Sequence, residues 1–523
     1  MPSKRRKNAP HEKLAASLAS LKNLQANGRR IFQSSEFSRN DRERLTKQGF
    51  LSEVIKGWLI SSAPGTTTGD STPWYASFWQ FCALYCDSRF EKNWHISPEQ
   101  SLLLHAEDTV IPSQVVIYSP KGANNTIHLL FGMSLYDLKQ AQMPLPEELT
   151  VKEDLRLFTP AASLTRIPES FFSRHPVEVQ VVLAGIKDSS EVLPRLLDGG
   201  HSTIAGRLAG AFRRIGRAAI ADEIMKTMKG AGYDLRESDP FLPEQTFGTS
   251  KTGVAPVVGR IHALWDSMRQ PIVAAFPAAP GLPVNTKDYL HFVDEIYQSD
   301  AYHSLSIEGY RVTPELIERV RAGNWRSNED EADRQNRDAL AARGYWLAFQ
   351  TVKESISSII AGGEAGELVR VAHRDWYREL FQPSVQAGLI GAQALAGYRN
   401  QPVFLRGSRH VPPRADVLGD AMPALFDLLK KEQVPAVRAV LGHWMFGYIH
   451  PYPDGNGRIA RFLMNSMLAS GGYPWTVIRV EDRDAYLSAL ESASVGGDIA
   501  PFSTFIAERV SWSMKEAAKK AKA

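Results

Sequence analysis

The stretch His450-Pro451-Tyr452-Pro453-Asp454-Gly455-Asn456-Gly457-Arg458-Ile459-Ala460-Arg461 stands between two apolar runs, AVRAVLGHWMFGYI at 436–449 and ARFLMNSMLAS at 460–470. Both runs repeat apolar residues three and four apart, the spacing of a buried helix. A polar, glycine-rich turn wedged between two core helices is costly unless something binds to it. Gly455 and Gly457 let backbone N–H groups converge where the second helix begins. Such a nest at a positive helix end is a site for phosphate.

The side chains around it fit the same chemistry. Asp454 offers an oxygen to magnesium, which ordinarily keeps waters and takes phosphate oxygens as its other ligands. Arg458 and Arg461, three apart, project from one side of the first helical turns, and Asn456 can donate to a phosphate oxygen. His450 is the candidate general base, since an unperturbed imidazole titrates near about 6.5. A lone histidine is more often structural, and a lone DGNG more often a turn. Together they supply what in-line displacement at phosphorus needs: a base, a metal ligand, an anion nest and two guanidiniums.

This segment resembles the motif of the Fic (Fido) family, His-Pro-Phe-x-(Asp/Glu)-Gly-Asn-Gly-Arg-x-x-Arg. Tyr452 stands where Phe is commonest, a position read as packing. The resemblance covers roughly 260–510 and implies a mainly α protein, with an all-α Fic domain at 260–512 carrying a β-hairpin flap. It implies AMP transfer from ATP to a Ser, Thr or Tyr hydroxyl of a protein, itself included, with pyrophosphate leaving. ATP and Mg2+ are the implied cofactors. His450 would be the base and Asp454 the metal ligand, with Gly455, Asn456, Gly457, Arg458 and Arg461 holding the phosphates. Relatives that phosphorylate carry lysine in place of Gly457, so nucleotidyl transfer is favoured.

Ser304-Leu305-Ser306-Ile307-Glu308-Gly309 resembles the family's inhibitory pattern, placing an inhibitory helix near 300–309. By resemblance Glu308, one turn beyond Ser304, pairs with Arg461 where the ATP γ-phosphate should lie. Read from the residues alone, Glu308 is equally an ordinary helix-terminal carboxylate. FLRGSRHVPP at 404–413 reads as a hairpin turning at Arg406, Gly407, Ser408 and Arg409. It is either an exposed connection or, by resemblance, a flap that pairs with the target's backbone by strand addition. The 483–506 stretch also looks Fic-like and is expected to close the core over the ATP base.

Ahead of this, Leu14, Leu18, Leu21 and Leu24 mark an amphipathic helix over 11–27. Ser38 and Asp41 have the form of a capping box for a helix over 39–48, stopped at Gly49. Residues 50–62 read as two strands joined at Lys56-Gly57. That is the order of a winged helix-turn-helix over 1–65, with a mixed and then helical body at 66–245. Arg39, Asn40, Arg42, Arg44 and Lys47 decorate its second helix, serving DNA contact or simply a solvated or protein-binding face. QSSEFSRNDRERLTKQGFLSEVIKGWLISS at 33–62, SPEQSLLLH at 97–105 and GGHSTIAGRLAGAFRRIGR at 199–217 resemble antitoxin-type regulators of the AbiE kind. The resemblance implies DNA or partner binding. It frames the alternative function, a DNA-binding regulator whose Fic domain acts on itself or senses nucleotide.

A Pro-, Gly- and Thr-rich stretch at 239–259 marks a boundary. Beyond it helices are expected at 262–268, 287–298, 334–360 and 434–448. The 523 residues allow roughly two to four domains, and 43% hydrophobic with 23% charged residues excludes a disordered or fibrous chain. A net charge of +4 is no polycation; the basic ends, 1–7 and 515–523, read as solvated tails. No leader-like or membrane-length apolar run is apparent, which predicts a cytoplasmic protein without a membrane partner. Cys82 and Cys86 are the only cysteines and read as buried free thiols. The expected partner is a protein substrate, with DNA at the N-terminal region and a second copy in a homodimer as further candidates.

Overall fold

The computed structural model describes residues 10–62, 64, 71–243, 254–323 and 337–520. The basic 1–7 stretch, the last three residues of the basic C-terminal tail, the centre of the expected boundary and the start of the helix expected from Arg334 lie outside them. The chain divides into two units, Met1–Phe241 with Phe404–Val411, and Leu242–Val403 with Pro412–Ala523.

The first unit begins with α1 (Pro10–Leu24), β1 (Ile31–Gln33), α2 (Arg39–Lys47), β2 (Leu51–Ile55) and β3 (Trp58–Ser61). The strands form an antiparallel sheet in the order β1-β3-β2. Period-2 alternation divides its side chains. Phe32 and Leu59 pack with Leu21, Phe37 and Leu45. Ile31, Trp58 and Ile60 pack with Trp74, Phe78 and Phe81 of α3 (Thr72–Phe90). Strand β1 escaped the sequence reading because three residues are too few to show a period.

Ser38 caps α2 by accepting from the Asp41 amide at 3.1 Å. The capping box is only half made. Asp41 turns its carboxylate to the hydroxyls of Ser38 and Ser17, both at 2.6 Å, instead of to the Ser38 amide. Arg44 donates to Ser17 Oγ and to the Lys13 carbonyl, so this arginine joins α2 to α1 rather than facing outward. Arg39 is exposed but paired with Glu43 at 2.9 Å.

Cys82 and Cys86 are free and buried on α3, where burial pushes both thiols well up and leaves them inert. A mixed sheet follows, of β4 (His95–Ile96) and, beyond α4 (Pro98–His105), β5 (Gln114–Ser119), β6 (Asn125–His128) and β7 (Ser134–Lys139). Its order is β4-β5-β7-β6, with β5 and β7 parallel. A hairpin, β8 (Leu149–Lys152) and β9 (Leu155–Phe158), leads into α5 to α10 (Pro160–Arg166, Glu169–Arg174, Pro176–Gly185, Leu193–Asp198, Ser202–Arg214, Ala218–Gly230).

The segment Phe404–Val411 belongs to this unit. It turns as expected, with Gly407 at φ 75° and the Ser408 amide donating to Leu405 O at 3.2 Å. Its one β-bridge among the described residues is not to itself: His410 pairs antiparallel with Val110. The Ile111 amide donates to Arg409 O at 3.0 Å and the Val411 amide to Thr109 O at 2.9 Å. Pro402, Pro412 and Pro413 bracket the segment and lack the N–H a self-paired hairpin would need.

Among its described residues the second unit is helical throughout: α11 (Pro256–Ala275), α12 (Thr286–Ile307), α13 (Pro314–Arg321), α14 (Arg337–Ile360), α15 (Ala365–Gln386), α16 (Leu418–Lys431), α17 (Pro435–Ile449), α18 (Asn456–Ala469), α19 (Arg483–Gly496) and α20 (Ala500–Lys520). The two apolar runs become α17 and α18, packed on each other and buried on nearly every side. Helices α14 and α15 lie against α18, and α11 against α16 and α17. The turn at 450–455 is thus held by core helices at both ends.

Candidate active site

Helix α17 ends at His450, whose backbone is left-handed at φ 52° and ψ 59°. That conformation is uncommon for a residue with a side chain and persists only where neighbours enforce it. The enforcing residue is Arg399. Its Nε donates to His450 O at 2.8 Å, Nη2 to Ile449 O at 3.3 Å, and its amide to Pro451 O at 2.8 Å. The buried Arg399 guanidinium thus meets backbone carbonyls, and burial pulls it down to about 10.

The imidazole is held as well. His450 Nδ1 lies 3.1 Å from Gly447 O. A carbonyl only accepts, so Nδ1 carries the proton and Nε2 keeps its lone pair. Burial, the largest influence, pushes His450 down to about 4; the Gly447 bond pulls it up, and the Arg399 charge adds a lesser downward push. The ring is therefore neutral at pH 7. A base must be neutral to accept a proton, so transfer should stay level from pH 8 to about 5.5 and fall only below that. Initial rates of label transfer at subsaturating ATP across this range test it. An acid limb between pH 6 and 7 would show an imidazole in ordinary water.

Beyond His450 the turn is braced by Asn456. Its Oδ1 accepts from the Tyr452 amide at 2.9 Å and its Nδ2 donates to Tyr452 O at 2.8 Å. The side chain thus braces the turn through Oδ1 and one of its two Nδ2 hydrogens, and its backbone N–H at the start of α18 is a further donor. Gly455, at φ 80°, precedes α18 and brings no capping side chain. The first-turn amides of α18 are accordingly left for an outside acceptor. Asp454 accepts from the Gly455 amide and keeps 61% of its side chain exposed.

The two arginines differ. Arg458 is 1% exposed, its guanidinium between the rings of Tyr310 at 5.2 Å and Phe381 at 5.0 Å. Its Nε and Nη2 find no hydrogen-bond partner, and Asp454 lies 3.5 Å from Nη2. Buried charged donors without acceptors are expensive, so these are donors waiting for a ligand. Arg461 is satisfied: Nε donates to Ser304 Oγ at 2.8 Å, and Nη2 to Ser304 O at 3.1 Å and Glu308 Oε1 at 2.7 Å.

Glu308 closes α12 and lies over the start of α18. A Cβ at Gly457 would overlap Glu308 Oε1, so the glycine is what admits the carboxylate in this position. Burial pushes Glu308 up, but the pull of Arg461 and then Arg458 outweighs it, and the group stays below the usual carboxylate range. It is ionised at neutral pH.

The second unit therefore gathers His450, Asp454, residues 455–458, Arg461, Ser304 and Glu308. Arg406, Gly407, Ser408 and Arg409 fall in the first unit with the Val110 bridge. Sequence reasoning missed Arg399, Tyr310 and Phe381. None lies at a spacing tied to the motif, and only the fold brings them to it.

Residues 367–468 match the Fic/DOC family. This Fic/DOC domain takes in nearly all of α15, then Arg399, α16, α17, the turn and α18, while Ser304 and Glu308 lie outside it. A protein adenylyltransferase Fic of Nematostella vectensis is 45% identical over 114 residues, 21% of this chain and 26% of that relative. Those of Drosophila willistoni and Aedes aegypti are 39% and 37% identical over 115 residues, 21% of this chain and 22% of each relative. The chain thus spans about a quarter of the length of the curated relatives it matches. A Fic domain-containing signaling protein from Bacteroides thetaiotaomicron superposes with a TM-score of 0.35 at 22% identity, over 51% of this chain and 97% of that one. No described helix is long and apolar enough to cross a membrane.

Proposed function

We propose that this chain transfers AMP from ATP to a hydroxyl group of a protein, releasing pyrophosphate, and that Glu308 holds the reaction back. One observation carries the reading: the buried Arg458 guanidinium, with two unpartnered donors, at the uncapped start of α18. That is an anion cradle next to a neutral imidazole.

In this reading the ATP phosphates take the first-turn amides of α18 and the Arg458 donors. His450 Nε2 accepts the proton of the attacking hydroxyl. The oxygen bonds to the α-phosphorus, the bond from that phosphorus to the α,β-bridging oxygen breaks, and pyrophosphate departs with the electron pair. Among the described residues no group of three or more His, Cys, Asp or Glu side chains is arranged to hold a metal. One exposed carboxylate, Asp454, nevertheless suits Mg2+ delivered with phosphate oxygens and waters as its remaining ligands. When bound, the ion neutralises charge on the departing phosphates. The curated relatives, named protein adenylyltransferases, support the nucleotidyl over the phosphoryl reaction.

The test supplies ATP labelled in turn at the α- and the γ-phosphorus, with α-labelled GTP, CTP and UTP beside it, to the Glu308→Gly protein and a cell extract. Retention of α- but not γ-label on protein is expected. Retained γ-label would make the chain a kinase, and another base labelling better would change the donor.

A further inference from the structure

Within the second unit α15, residues 395–398 and Tyr452 of the turn line a cavity of about 320 Å³. Three tyrosines and two arginines define it. Tyr377 stacks on Tyr452 with ring centroids 3.8 Å apart and planes within 5°, and Tyr398 tilts against Tyr452 at 5.5 Å. Arg374 and Arg378, one helical turn apart on α15, stand at the mouth.

The hydroxyls are not equivalent. Tyr377 Oη donates to Ala394 O at 3.1 Å, and Tyr398 Oη meets His373 Nε2 at 2.9 Å. Tyr452 is wholly buried, and its Oη has no partner. Leaving a buried hydroxyl unpaired is unfavourable. Phenylalanine, commonest at this place in the motif, would fill the same space without that cost. The added oxygen therefore asks for an acceptor.

The charges say which kind. Asp375 bonds Arg378, while Arg374 lies 5.2 Å over the Tyr398 ring and meets no carboxylate among the described residues. The mouth carries a surplus of positive charge, and both arginines act on the Tyr452 hydroxyl. Two guanidiniums and an O–H donor match the oxygens of a phosphate group, and aromatic walls leave room for more than the bare ion.

We propose that this cavity binds a phosphate group, with Tyr452 donating to one oxygen and Arg374 and Arg378 holding the others. The ligand is a free phosphate ion or a small phosphomonoester whose apolar part lies along the tyrosine rings. The site is distinct from the 455–458 cradle in its lining, which takes Tyr452 from the turn and none of residues 455–458.

Calorimetric titration of the whole chain with inorganic phosphate and with phenyl phosphate, at fixed ionic strength, tests this in wild type, Tyr452→Phe and the double variant Arg374→Gln, Arg378→Gln. Tyr452→Phe keeps the stacked ring, and thermal unfolding without phosphate checks that both variants fold. Tungstate soaked into crystals, read by anomalous diffraction, locates the anion. Binding weakened about 10-fold or more in Tyr452→Phe and lost in the double variant, with tungstate beside Tyr452, is the expected result. Tighter binding of phenyl phosphate than of phosphate identifies the monoester, and equal binding the free ion. Unchanged affinity in Tyr452→Phe, no measurable binding to wild type, or tungstate only at the 455–458 turn overturns the proposal; a water then satisfies the hydroxyl.

Discussion

Glu308→Gly is expected to raise the rate of AMP transfer about 10- to 100-fold at fixed ATP. The carboxylate does two things at once. It satisfies Arg461 at 2.7 Å and lies above Gly457, the space that, in the function proposed, a phosphate oxygen would need. A phosphate arriving there meets a like charge and a guanidinium already engaged. Removing the side chain clears the space and leaves Arg461 on Ser304 alone. The stability cost should be modest, about 1–2 kcal/mol, since the Glu308 side chain is 30% exposed and its pairing is partly screened. ATP should then raise the thermal midpoint of the variant by more than that of wild type. Equal rates and equal ATP-induced shifts would reduce Glu308 to an ordinary helix-terminal carboxylate. Acid should not imitate the substitution: the pull of the two arginines keeps Glu308 charged, so lowering the pH from 7 to 5 should not open the gate.

In the Glu308→Gly background, a second substitution at His450 is expected to lower transfer by about 100- to 10,000-fold, the range for loss of a positioned base. Two replacements separate the causes. Alanine removes the base but is strained at φ 52°, whereas asparagine removes it and tolerates a left-handed backbone. If the missing proton acceptor is what matters, both are equally inactive and bind ATP within a few-fold of the parent. Activity surviving in His450→Asn would mean that the backbone geometry, not the imidazole, carries the step.

How much of this could be read from the sequence depends on how local each feature is. The turn was legible because its parts lie within twelve consecutive residues, between two runs that cannot be other than core helices. The 304–309 signature was legible by resemblance, and the helix ending at Glu308 delivers it to Arg461 from outside the Fic/DOC stretch. The bracing role of Asn456 went unread because its partner is backbone four residues earlier, and nothing in a side-chain pattern announces such a bond. Arg399 was invisible for the same reason, since its acceptors are carbonyls. Tyr452 was read as packing, and its ring does pack; the hydroxyl was the part without an explanation. In the first unit the expected helices and the β2-β3 hairpin are present. The parallel pairing of β5 with β7 joins strands separated by β6, an order that alternation alone does not encode.

The segment Phe404–Val411 is flanked in the chain by one unit and packed as part of the other. Order along the gene and physical membership come apart there. Two finished modules fused end to end would each keep one continuous stretch, but here a loop is on loan from the middle of the second to the first. Exchanging 1–241 for an unrelated sequence would take away the Val110 bridge to His410 and the amide and carbonyl partners at Thr109 and Ile111. A fragment cut at the compositional boundary would therefore be a different molecule at that loop.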